Sequence, residues 1–328
     1  MAQIEVVNVS FQYPTGHRAI QDLSLSIDKS EKIAIIGENG AGKTTFARLL
    51  NGLLRPTGGD VFINGLNTKA ATTAQISRTV GYVFQNPDDQ IFNKDVITEI
   101  LYTLRYFKYT EEEIAKRLTR VKQLIHLDNL LEENPYNLSY SVRKFVTIGA
   151  VLANETDIVI LDEPTAGQDK VGLDKLEHII NVLNQEGRTL ITITHDMEFV
   201  VRNFDRVVVL ADSRLIADSD KRQIFWNIPV LEKAIAGNPE ECLLYKELSF
   251  AQIFLQQLDK AGESCRNGIK HCEDKKMKAE IAYNLAYTYF TKKDKLNFDN
   301  WALETKKWAD AGDRFTQNID KMKMELNK

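Results

Sequence analysis

Eight residues carry the clearest chemistry in this chain. Gly37-Glu38-Asn39-Gly40-Ala41-Gly42-Lys43-Thr44 fits the pattern G-x-x-x-x-G-K-[ST]. The apolar run Ile33 to Ile36 precedes it, and a helix-prone stretch opens at Lys43. Such a pattern can arise in any glycine-rich turn, so the strand before it and the helix after it decide the reading. Glycines let backbone N–H groups turn inward around phosphate oxygens, and the helix N-terminus adds positive potential. Gly37, Asn39, Gly40, Gly42 and Thr45 are therefore expected around a bound phosphate chain. Lys43 is expected to reach the β- and γ-phosphates, and Thr44 to ligate Mg²⁺. ATP and Mg²⁺ are the predicted ligands.

Two further segments supply what phosphate chemistry needs. Ile158-Val-Ile-Leu-Asp162-Glu163 is an apolar strand ending in two carboxylates. In α/β proteins that edge is where ligands bind. Asp162 is expected to hold Mg²⁺ or its water. Glu163 is suited to orient and polarise an attacking water. The bland alternative is that both merely cap a helix, but Pro164 follows at once and the pair comes in the right order after the phosphate loop. Leu190-Ile-Thr-Ile-Thr-His195 places a histidine at the end of another apolar strand. A lone histidine there is more often structural; following the other two segments, it is read as a sensor of the γ-phosphate.

Taken together, these segments resemble an ATP-binding cassette subunit of an ABC transporter, over about residues 1 to 237. The resemblance implies further roles. Tyr13 stands where the family stacks an aromatic ring on adenine, a contact that needs only a flat π face. Gln85 matches the glutamine that links Mg²⁺ and the attacking water to a membrane partner. Thr165-Ala-Gly-Gln-Asp169 matches the loop that crosses a dimer interface, with Asp169 at its end. Val83-Phe-Gln-Asn-Pro-Asp-Asp-Gln-Ile-Phe92 is similar to ATPases of energy-coupling-factor importers, which take up vitamins and transition-metal ions. That likeness implies an integral membrane transport subunit, a second ATPase, and a peripheral place on the cytoplasmic face of the membrane.

The chain departs from the family at one motif. Where the family has Leu-Ser-Gly-Gly-Gln, this chain has Leu138-Ser139-Tyr140-Ser141-Val142. Ser139 is kept, and Arg143 and Lys144 follow, but both glycines and the glutamine are gone. The family presses this helix start on ATP held by the other subunit, and glycine permits the close approach. Tyr140 adds bulk there. A homodimer would carry the defect in both sites, so a heterodimer with one hydrolytic and one weak site is expected. Gln168, where the subgroup often has leucine, is a second departure that the sequence leaves unexplained.

The elements needed to position these groups are legible as patterns. Continuous β-prone runs at Ile33–Ile36, Ile158–Leu161 and Leu190–Thr194 suit buried parallel strands. Lys43 to Leu50, Glu111 to Ile125 and Gly172 to Asn184 read as helices between them. The expected fold is α/β, a P-loop cassette. Ile4–Val9, Leu23–Ile27 and Asp60–Ile63 are expected as an added N-terminal antiparallel β layer, and residues 88 to 150 as an inserted helical subdomain. Near Gly237-Asn238-Pro239 the strand signals stop. Residues 240 to 328 read as an all-α domain, with helices over 240–260, 261–273, 276–291 and 300–328. Leu248, Ser249, Ala261, Cys265 and Gly268 sit at offsets that match a tetratricopeptide repeat, though an unrelated helical bundle fits equally. Either form suits a protein-interaction module, and a nucleotide-gated switch that recruits a soluble partner is the second functional reading.

Composition argues against several classes. Forty-two basic residues against 46 acidic ones give a net charge of −4, no footprint for nucleic acid. No run of about 18 apolar residues occurs, so no membrane span is expected. The first ten residues lack the basic and apolar regions of a secretory signal. Three cysteines, Cys242, Cys265 and Cys272, predict reduced thiols in a cytoplasmic protein. His271 beside Cys272 has no second ligand pair at zinc-like spacing.

Overall fold

The computed structural model describes residues 2–225, 242–254, 256–309 and 314–326. The chain divides into two compact units, Met1–Lys221 and Arg222–Lys328. The expected boundary at Gly237-Asn238-Pro239 lies outside the described residues.

The first unit is built on two sheets. Strands β1 (Ile4–Gln12), β2 (Arg18–Ile27), β4 (Gly58–Ile63) and β5 (Leu66–Asn67) form an antiparallel sheet in the order β2-β1-β4-β5. The second sheet holds β3 (Lys32–Ile36), β6 (Val80–Val83), β7 (Ile158–Asp162), β8 (Thr189–Ile193), β9 (Arg206–Ala211) and β10 (Arg214–Asp220). Its order is β10-β9-β3-β8-β7-β6, parallel throughout except for the antiparallel edge strand β10. β6, β7 and β8 are buried at every position, which is why β7 and β8 read as continuous runs rather than alternating ones. The edge strand β10 alternates between half-buried and exposed residues, as one solvated face requires.

Helix α1 (Lys43–Leu50) lies between the sheets, and its Phe46, Leu49 and Leu50 share one core with Ile4, Ile20, Ile33 and Ile191. The short α2 (Thr73–Ile76) leads into β6. The expected helical layer is present as α3 (Val96–Tyr106), α4 (Glu111–Ile125) and α5 (Tyr140–Leu152), which pack on one another. α4 starts with a capping box between Thr110 and Glu113, and three glutamates in its first turn complement the helix dipole. α6 (Lys170–Gln185), α7 (Met197–Asn203) and the short α8 (Lys221–Phe225) follow in chain order.

The second unit is all helix in its described residues: α9 (Cys242–Phe254), α10 (Leu258–His271), α11 (Lys275–Thr291), α12 (Lys295–Trp308) and α13 (Arg314–Leu326). α9 packs on α10 and α11, and α11 packs on α12 and α13. Gly268 makes the first contact close, because a Cβ there would fall 2.6 Å from the Cβ of Tyr245 in α9. Two boundaries differ from the sequence reading. α9 ends at Phe254 and α10 begins at Leu258, so the break comes before residue 260 rather than after it. The helix expected over 300–328 begins earlier, at Lys295, where Asp294 accepts a hydrogen bond from the Asn297 N–H, and it ends at Trp308, where Ala309 turns extended.

The cysteines are not all the reduced thiols that their count predicts. Cys242 and Cys272 form a disulfide, because the packing of α9 on α10 brings their Cα atoms to 5.1 Å across 30 residues of sequence. Only Cys265 is a free thiol; it is buried, and burial pushes its pKa up to about 12. His271 stacks on Tyr245 and bonds the Asn267 carbonyl, and no metal-binding cluster of His, Cys, Asp or Glu occurs among the described residues.

Candidate active site

In a parallel sheet all C-terminal strand ends open on one edge, and four of them deliver the site. β3 runs into the phosphate loop, β6 into Gln85, β7 into Asp162 and Glu163, and β8 into His195. The loop's glycines are required by its path. Gly42 caps α1 at φ 99°, and a Cβ there would meet the Ala19 carbonyl oxygen at 2.2 Å. Gly37, at φ 149°, passes equally close to the Leu210 carbonyl. Lys43 is buried and donates to the carbonyls of Gly37 (2.7 Å) and Glu38 (2.9 Å), which hold its ammonium at the middle of the loop.

A cavity of about 220 Å³ opens over this loop. Asn39, Gly40, Gly42, Lys43, Thr44 and Thr45 line it, with Gln85 and Glu163. Its remaining lining, His17 and Ala19, was not singled out in the sequence, since neither belongs to a motif. Tyr13 does not line the cavity. Its hydroxyl pairs with Thr45 Oγ1 at 3.0 Å, and its ring lies nearly parallel to His17, 6.3 Å between centroids.

Asp162 is fully buried at the end of β7 and accepts a hydrogen bond from the Tyr82 hydroxyl at 2.8 Å. Burial raises its pKa, while the nearby Tyr82 and Thr44 side chains act the other way. Its second oxygen, Oδ1, is buried with no completed hydrogen bond. An unsatisfied buried carboxylate oxygen beside a threonine hydroxyl is a set of hard oxygen donors, which fits Mg²⁺. Tyr82 was missed by the motif reading; its signal is a tyrosine within a buried strand, whose hydroxyl must find a partner.

Glu163 follows at φ 48°, a left-handed backbone that a glutamate rarely adopts. The strain is held by its N–H, which donates to the Ile193 carbonyl at 2.8 Å. This turn brings the carboxylate, 6% exposed, to the cavity. Glu163 Oε2 lies 2.9 Å from His195 Nδ1, whose ring is 70% exposed. His195 thus meets the site through Glu163 rather than by lining it.

Ser139 and Asp169 stand outside the cavity. Ser139 caps α5, accepting from the Val142 N–H, and Asp169 caps α6, accepting from the Gly172 N–H at 2.8 Å.

A phosphate loop, two carboxylates after a parallel strand and a histidine after its neighbour agree with known relatives. A protein of Clostridium acetobutylicum provisionally named as an ABC transporter ATP-binding protein is 40% identical over 233 residues, 70% of this chain and 84% of that protein. The chain belongs to the ATP-binding proteins of ABC transporters. The ABC transporter family model matches residues 20–166. The energy-coupling factor transporter ATP-binding protein EcfA of Methanocaldococcus jannaschii is 34% identical over 233 residues, 70% of this chain and 84% of that one. Among solved structures, CbiO1 of Clostridium perfringens, described as part of the ABC transporter complex CbiONQ, superimposes with a TM-score of 0.63 at 29% identity, covering 73% of this chain and 96% of its own. A dimeric ATP-binding cassette in a post-hydrolysis state, bound to ADP and Pi, superimposes with a TM-score of 0.61 at 26% identity, covering 66% of this chain and 98% of its own. The fold is therefore the ABC cassette, followed by a helical region, and the protein is an ABC ATPase that uses ATP with Mg²⁺. Among the described residues no helix is long and apolar enough to cross a membrane.

Proposed function

We propose that this chain is the ATPase of an energy-coupling-factor type importer, on the cytoplasmic face of the membrane, driving uptake of a vitamin or metal ion that another chain recognises. The cavity that gathers Lys43, Thr44, Gln85 and Glu163 carries the reading. The 34% identity to EcfA and the likeness to CbiO1 support the subgroup. Phe92, Tyr102 and Tyr106 form an exposed aromatic row next to the Gln85–Phe92 segment, a surface suited to an apolar element of a membrane partner.

The residues divide the chemistry as follows. The loop amides and Lys43 neutralise phosphate charge. Thr44, Asp162 and Gln85 would hold Mg²⁺, which screens the charge between the β- and γ-phosphates when bound. Glu163 orients a water so that its oxygen bonds to the γ-phosphorus while the bond to the β–γ bridging oxygen breaks, leaving ADP and Pi. His195 holds the Glu163 carboxylate from the solvent side and would sense the γ-phosphate through it. Tyr13 and the adjoining His17 offer flat faces for the base, and Ser139 and Asp169 face a second ATPase across the dimer.

Tyr140 in place of glycine favours a heterodimer, in which the second ATPase supplies an intact signature to the site described above. The second unit would then recruit a protein partner. Leu243, Phe250, Leu296 and Leu303 are exposed on its helices, and the tetratricopeptide-like arrangement expected from the sequence would suit that recruitment. That surface also favours the alternative, a nucleotide-gated switch for a soluble partner. Steady-state assays on the purified chain test the heterodimer: slow hydrolysis alone and faster hydrolysis with the second ATPase are expected. Rapid, cooperative hydrolysis by the chain alone overturns it. Affinity purification from membranes separates the two functions by whether residues 240–328 bring down a soluble protein or the importer.

A further inference from the structure

Tyr140, Arg143 and Lys144 share one face of the first turns of α5, as positions i, i+3 and i+4 do. All three reach the segment that carries Gln85. The Tyr140 hydroxyl donates to the Gln85 carbonyl at 3.2 Å, and Lys144 Nζ donates to the same oxygen. Arg143 pairs with Asp88 at 3.1 Å. A carbonyl oxygen has two lone pairs, and here α5 supplies a donor for each. Lys144 is fully buried, with its ammonium 5.7 Å from the Tyr140 ring centre.

The ring of Tyr140 also lies on the crossing loop, so closely that a Cβ on Gly167 would fall 2.8 Å from it. Next to it, the Ser141 hydroxyl donates to Gln168 Oε1 at 2.7 Å, and Gln168 Nε2 returns a bond to the Ser141 carbonyl. Of the four positions that depart from the family pattern, 140, 141, 142 and 168, all but Val142 therefore contact one another or the Gln85 segment. Those three form a connected internal structure rather than independent losses.

We propose that Tyr140 is a positioning residue for Gln85: with Lys144 it fixes the Gln85 backbone against α5 and so holds the Gln85 side chain at the nucleotide cavity. A glycine at position 140 has no side-chain donor to offer and leaves this bond unmade. The tie also joins the crossing loop to the Gln85 segment within one chain, through a single ring that touches Gly167 at its edge and Gln85 at its hydroxyl. The inference rests on the reading of Gln85 as a residue of the Mg²⁺ and water site.

Tyr140→Phe in the full chain removes only the hydroxyl. Hydrogen exchange of the amides at residues 84–92, without nucleotide, is expected to quicken by about three- to ten-fold, the equilibrium weight of one neutral hydrogen bond. ATP affinity in EDTA should stay at the wild-type value, while the Mg²⁺ concentration that half-saturates the tightening of ATP binding rises several-fold. Tyr140→Gly should shift Mg²⁺ dependence at least as far; a side chain that only obstructs a partner would leave it unchanged. Unaltered exchange at 84–92 in Tyr140→Phe overturns the positioning role. Gln85→Ala separates the two claims. If it shifts the Mg²⁺ dependence and Tyr140→Phe does not, positioning fails; if it shifts nothing, the reading of Gln85 fails and the exchange data alone decide the tie.

Discussion

Helices α1 and α5 begin in opposite ways. α1 is capped by Gly42, which makes no side-chain hydrogen bond, and no acidic residue stands in its first turn. Its first amides are left for an anion from outside the chain. α5 is capped by Ser139, whose hydroxyl accepts from the Val142 amide, and its next residue, Tyr140, folds onto the chain's own loops. One helix start is open and glycine-built; the other has a serine cap on one amide and a tyrosine turned onto the chain's own loops. Both are helix N-termini with the same dipole, so the dipole alone does not make a phosphate site. What differs is whether side chains have already taken the space and the donors.

Glu163→Gln keeps the open loop but removes the carboxylate, so turnover in the assembled complex should fall about 10²- to 10⁴-fold while ATP binding persists. Undiminished turnover would remove Glu163 from its role. Lys43→Ala deletes the cation at the middle of the loop. Calorimetry should show ATP bound about ten- to a hundred-fold more weakly, the worth of a charge-assisted bond.

Stability sharpens the contrast between the two caps. Gly42→Ala forces a Cβ toward the Ala19 carbonyl at a left-handed φ, and should cost about 1–3 kcal/mol in urea unfolding of the first unit. Ser139→Ala removes an ordinary cap and should cost about 1 kcal/mol. Equal costs would mean that the glycine path is not a constraint.

Stability should also depend on pH through Lys144. Burial lowers the Lys144 pKa to about 8, from the usual 10.5, although Asp162 and Glu163 pull it up. The unfolded chain therefore binds this proton more tightly between those values. Below about pH 8 the full penalty is present, and wild-type stability should rise relative to Lys144→Met as pH climbs from about 8 to 10.5. A flat difference across that window would remove the buried cation from the account.

Much of the first unit was legible because its signals are local. The apolar run of β3, the glycines and the first turn of α1 are contiguous, and the structure starts and ends α1 where the sequence did, at Lys43 and Leu50. α4 likewise keeps its expected limits, Glu111 and Ile125, since a capping box marks its start. The groups that were missed come from afar. Tyr82 reaches Asp162 across 80 positions, and His17 reaches the cavity from the turn before β2. The cysteine count pointed to free thiols, and only the packing of α9 on α10 paired two of them.

By itself the sequence determined a phosphate-binding loop, the strands that carry its partners, and a signature that had changed. These follow from spacing along one stretch of backbone, where geometry is fixed by neighbours in sequence. Tertiary structure alone decided which oxygen of Asp162 stays unsatisfied, that Glu163 turns left-handed to meet His195, and where Tyr140 points. Those outcomes depend on the register of parallel strands and the docking of α5, contacts between residues that the chain order keeps far apart.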